Sequence, residues 1–210
     1  MFKAVSKAVS KVMSKAVSKA ISKDGYSPLS PDRIRLLHLL PNEDERAGIQ
    51  CELFEYPLQE LGKGTRLYEA LSYVWGSLDN PRSISIGGYD LPVTANLHAA
   101  LSRLRDRYIV RTIWVDAVCI NQANEEEKGH QIQSMARIYG QANRVIVWLG
   151  EAADNSDRAV EEIRTAAGKQ STNSSNEKPI QQAILALLQR PWFRRIWVRE
   201  HTLDIIHRNY

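Results

Sequence analysis

The chain has 210 residues, enough for one domain of ordinary size and a tail. Apolar residues make up 43% of it, with five Trp and eight Tyr, so a disordered chain is excluded and a packed core is expected. The formal charge is +4, but residues 1–23 hold six lysines and no acid, which leaves −2 on residues 24–210; a near-neutral body argues against a nucleic-acid partner. There is no apolar run of transmembrane length and no apolar stretch of the kind that leads a secretory signal, so a cytoplasmic location is expected. Cys51 and Cys119 sit in apolar stretches without metal-ligand spacing and read as reduced core thiols.

Residues 3–23 form a four-residue Lys/Ala/Val/Ser repeat. A helix advances about 100° per residue, so an apolar position recurring every fourth residue drifts by about 40° per repeat and no narrow apolar face survives. The favoured reading is a fraying helix or disordered tail; a basic membrane-surface helix and an organelle-targeting peptide are the alternatives. Residues 1–32 are therefore set apart as tail and turn-rich linker, and 33–210 as the domain. Within it, Ile34–Leu40, Cys51–Phe54 and Glu69–Trp75 read as strands, and 57–65 as a loop. Gly87-Gly88 between two alternating runs in Ser83–Val93 signals a hairpin. A helix is expected over 95–107, capped by Thr94, with Leu97, Leu101, Leu104 and Tyr108 on its apolar face.

Thr112–Ile120 reads as a continuous buried strand interrupted by Asp116. Asn124 then caps a helix whose first turn, Glu125-Glu126-Glu127, suits the macrodipole and whose apolar stripe is Ile132, Met135, Ala136 and Tyr139. Arg144–Leu149 is another buried strand, followed by a helix over 156–167 and a polar loop over 169–178. A helix then opens on Pro179, with Ile180, Ile184, Leu187 and Leu188 on one face, and Phe193–Val198 is a last apolar segment. Two buried strands around a helix form a βαβ unit and are expected side by side; with the hairpin, the fold class is α/β with a mixed sheet.

Six blocks carry a resemblance: YEALSYVWG (68–76), LPVTANLHAAL (91–101), IWVDAVCINQ (113–122), QIQSMARIY (131–139), ANRVIVWLG (142–150) and RPWFRRIWV (190–198). Together, in this order, they resemble the fungal heterokaryon incompatibility (HET) domain. The resemblance implies a module of filamentous fungi that triggers growth arrest and programmed cell death when incompatible strains fuse, acting through protein partners or self-association. The family is also distantly similar to the flavodoxin-like TIR domain, some members of which cleave NAD. One departure stands out: the family continues Trp-Val-x-Gln-Glu, whereas this chain reads Trp197-Val198-Arg199-Glu200-His201. An inactive, truncated paralogue is therefore a further alternative.

Asp116, near the carboxyl end of its expected strand, is where open parallel sheets bind ligands; the plainer reading is an acid that accepts backbone N–H bonds. Asn121 and Gln122 could hold a ribose or an amide, or serve as turn residues. By analogy with TIR, Glu200 is the candidate carboxylate for stabilising an oxocarbenium ion during NAD cleavage, with Asp116 beside it. Trp75 and Arg194 complete the candidate ligand set, although Tyr73, Trp75, Trp114, Trp148, Trp192 and Trp197 are expected mostly in the core. Arg190, Arg194 and Arg195 are expected to ring an exposed edge rather than read a phosphate. The three glutamates read as a solvated turn, and no metal or resident cofactor is expected; NAD enters only as a substrate.

Overall fold

The computed structural model describes residues 26, 28–30, 32–58, 67–167 and 177–194. The lysine repeat lies outside them. The chain divides into two compact units, Met1–Trp148 and Leu149–Tyr210.

The first unit is built on a seven-stranded mixed sheet: β1 (Arg33–Leu39), β2 (Gln50–Pro57), β3 (Glu69–Tyr73), β4 (Arg82–Ile86), β5 (Tyr89–Val93), β6 (Arg111–Trp114) and β7 (Arg144–Trp148), in the order β5-β4-β2-β1-β6-β3-β7. β6, β3 and β7 are parallel, β2 is parallel to β4, and β1 runs antiparallel to β2 and β6. The mixed α/β class expected from the sequence is the class observed. β3 is buried along its whole length, and Ile34, Leu36, Leu37, Leu39, Leu71 and Trp114 are fully buried around it. The hairpin turn holds Gly87 and Gly88 at φ 56° and 85°, the pair of left-handed residues that a type I′ turn requires.

Several expectations are corrected. The 112–120 run is not one strand: β6 stops at Trp114, and Asp116–Cys119 forms a short helix, α2, after α1 (Ala95–Leu104). Nor do the 112–120 and 144–149 runs lie side by side, because β3 sits between β6 and β7. The helix α3 (Glu125–Gln141) joins β6 to β7 across that gap. β7 is only half-buried, with Val147 40% exposed.

α1 also ends three residues early. Thr94 Oγ1 caps it by accepting from Leu97 N at 3.2 Å, as expected. Arg105, however, turns extended and sends its guanidinium to the carbonyls of Asp44, Glu45, Ala47 and Gly48. Asp106 then accepts from Tyr108 N and Ile109 N, a local turn that competes with helix, and Tyr108 ends 71% exposed. In α3 Asn124 Oδ1 caps Glu126 N and Glu127 N, but the inward face is Gln131, Met135, Ile138 and Tyr139, and Ile132 is 53% exposed.

In the second unit, α4 (Ser156–Ala167) and α5 (Glu177–Leu188) pack through Ala159, Ala183, Ile184 and Leu187. A 3-10 turn, Pro191–Arg194, follows. Arg190 donates to Leu149 O (3.1 Å) and Ala153 O (3.2 Å), so its guanidinium serves the chain's own carbonyls rather than an edge or a phosphate.

Candidate functional site at the carboxyl ends of the parallel strands

Three neighbouring parallel strands deliver Trp75, Asp116 and Trp148 to the same end of the sheet, because each follows or closes the carboxyl end of β3, β6 or β7. In open α/β sheets this is the end at which ligands bind. Trp75 Nε1 donates to Asp116 Oδ2 at 2.8 Å, and Ala117 N donates to Asp116 Oδ1 at 2.8 Å. The carboxylate is half-buried and oriented from both sides. Gln122, 2% exposed, donates from Nε2 to Asp116 O at 2.8 Å and so pins the backbone of the same turn.

Asn96, in the first turn of α1, completes the cluster and was not anticipated from the sequence. Its Nδ2 donates to Val74 O at 2.5 Å, and its Oδ1 accepts from Trp148 Nε1 at 2.9 Å. It thus ties the loop after β3 to the end of β7. Gly76, at φ +77°, lets the chain turn away from Trp75; a Cβ there would meet Asn96 Cβ at 3.4 Å. A Thr-x-Asn pattern at the start of a helix is the only trace the sequence gives of this role.

The other candidates fall out differently. Asn121 serves the turn: its Oδ1 accepts from Ala123 N at 3.1 Å and its N–H donates to Glu127 Oε1 at 2.8 Å. Arg194 is exposed in the second unit, and Glu200, with Trp197, lies outside the described residues. Among the described residues no group of three His, Cys, Asp or Glu side chains is placed to hold a metal. Glu125 and Glu126 are exposed, as a solvated turn should be, but Glu127 is not. Its side chain, 8% exposed, takes both ends of the Arg35 guanidinium (4% exposed) at 2.5 and 3.1 Å.

At the opposite, amino end of the strands, Glu69 binds Arg111 (Nε 2.8 Å, Nη2 2.6 Å) and Arg144. This second ion cluster fixes β3 to β6 and β7, and nothing in the residue pattern announces it. Both cysteines are free and buried, and burial pushes each thiol up to about 12, so neither is a nucleophile at neutral pH.

Fold and cluster together define an open mixed α/β domain with a polar aromatic–carboxylate cluster at the mouth of its parallel strands. The heterokaryon incompatibility protein (HET) family model matches residues 68–200, which include every side chain of that cluster, and the chain belongs to this family. It is 34% identical over 143 residues to heterokaryon incompatibility protein 6, OR allele, of Neurospora crassa, a match that covers 62% of this chain and 20% of that protein. The chain thus spans about a fifth of the length of the curated relative it matches. No solved structure matches it. Among the described residues no helix is long and apolar enough to cross a membrane.

Proposed function

We propose that this chain is a cytoplasmic fungal incompatibility module that promotes programmed cell death through self-association. The family match carries the proposal, since the matched segment supplies β3 to β7 and the whole carboxyl-end cluster. Self-association has separate support at the amino end of the sheet. There Leu67, Tyr108, Ile109 and Val110 are 59%, 71%, 66% and 44% exposed, just ahead of the paired residues Glu69 and Ile113. Exposed apolar side chains gathered at one end of a domain favour contact with a second protein surface. The test is induced expression in a filamentous fungus, with light scattering of the purified chain over a concentration range. Expected are loss of hyphal viability and a rise in mass with concentration, both weakened by Ile109→Glu. A chain that stays monomeric and leaves hyphae viable would refute the proposal and mark an inactive paralogue.

A second reading, NAD cleavage as in some TIR domains, is favoured by one observation: Asp116 is held oriented where parallel strands open. Nicotinamide release from NAD by the pure protein, lost in Asp116→Asn and in Glu200→Gln, is the expected result. No release removes the enzymatic reading and leaves the assembly reading standing.

A further inference from the structure

Tyr26 lies outside the matched family segment, within the linker ahead of the domain, yet its contacts reach the candidate site's own turn. Its hydroxyl donates to Val118 O in α2 at 2.6 Å, and its ring covers Arg35, whose Cζ stands 4.4 Å from the ring centroid. Burial holds its pKa above the ordinary tyrosine range, so the hydroxyl remains a donor at neutral pH. Six residues on, Asp32 O accepts from Leu58 N at 2.7 Å, and the Asp32 carboxylate lies 3.6 Å from Arg137. The linker is therefore anchored at both ends.

α2 has only four residues, too few to persist on its own hydrogen bonds. It is held from outside. Trp75 binds its first side chain, Gln122 its first carbonyl, Tyr26 the carbonyl of Val118, and Arg35 that of Cys119 at 3.4 Å. Two of those four supports, Tyr26 and Arg35, come from residues ahead of the family segment and touch each other.

We infer that the linker anchored at Tyr26 and Asp32 is a strap, with Tyr26 as its latch, which holds α2 closed and thereby orders the Asp116–Trp75 pair at the mouth of the sheet. Such a latch needs a segment able to open locally while the rest of the fold stays shut, and a four-residue helix held by side chains from elsewhere is such a segment.

Amide hydrogen exchange on the full chain, read alongside the indole N–H resonances of Trp75 and Trp148, tests the latch. Tyr26→Ala removes ring and hydroxyl; Tyr26→Phe removes only the hydroxyl. The expected result is exchange faster by about tenfold at Cys119, Ile120 and Asn121 for Tyr26→Ala and by about threefold for Tyr26→Phe. The Trp75 indole proton should shift with them, while the amides of β3 and the Trp148 indole proton stay unchanged. Should Tyr26→Ala not fold, Tyr26→Phe decides alone. Unchanged exchange at 119–121, or acceleration spread equally over the β3 amides, would overturn the strap.

Discussion

Replacing Glu127 by Ala tests how the fold is held more sharply than any core substitution. Both members of the Arg35–Glu127 pair are nearly dry, at 4% and 8% exposure, and bonded at two points. Removing the carboxylate takes two charge-assisted bonds from a buried guanidinium that also meets Cys119 O at 3.4 Å and the Tyr26 ring, and it removes the acceptor of Asn121 N. Breaking a buried pair in this way costs about 3–5 kcal/mol. In a chain of this size each kcal/mol lowers Tm by about 2–4 °C, so a fall of roughly 6–20 °C is expected. Arg35→Met should cost a similar amount. The double variant should recover much of the loss, because two apolar side chains replace the pair without leaving a buried charge. Urea unfolding of the four proteins, fitted to a common m-value, gives the cycle. A Glu127→Ala protein within about 1 kcal/mol of the parent would refute the reasoning and return Glu127 to the solvated turn.

Three further outcomes follow from the same structure. Asn96→Ala should cost about 1–3 kcal/mol, because it strips partners from Val74 O and Trp148 Nε1 together; the Trp148 indole resonance should move toward its solvent-exposed position. Cys51 and Cys119 should resist a thiol reagent at pH 8 in the native protein and react at the rate of unfolding as urea is added, since burial holds both thiols protonated. Residues 68–200 expressed alone should show no cooperative thermal transition by circular dichroism. They lack β1 and β2, which join β4 to β6 in the sheet, and with β1 the buried side chains of Ile34, Leu36, Leu37 and Leu39.

Much of the sheet was legible because its strands are unusually apolar or carry a distinct turn signal. Glu69–Tyr73 and the Gly87-Gly88 hairpin were readable for those reasons, and so were the Thr94 and Asn124 caps, whose side chains act within three residues of themselves. What failed depended on contacts distant in sequence. Asp116 looked like a strand residue because Val115, Ala117 and Val118 are apolar; only the side-chain supports on the turn make helix the better choice there. Tyr108 matched the helical period of α1, but Arg105 spends its guanidinium on the 44–48 turn and the helix ends. Glu127 belonged by pattern with Glu125 and Glu126, and nothing near it in sequence marks Arg35 as its partner, 92 residues away. Strand order was equally hidden: periodicity shows that 144–148 is a strand but not that β3 separates it from β6.

The most direct measurement on the proposed function is the viability of hyphae induced to express the Asp116→Asn chain, next to the parent chain at equal folded amount. The neutral amide keeps the size and one acceptor oxygen, enough for one of the two donors, Trp75 Nε1 or Ala117 N, so the fold should survive while the charge at the mouth of the sheet is gone. Hyphal survival with Asp116→Asn, beside death with the parent, is the predicted result. Equal killing by both chains would contradict a working role for the carboxylate cluster.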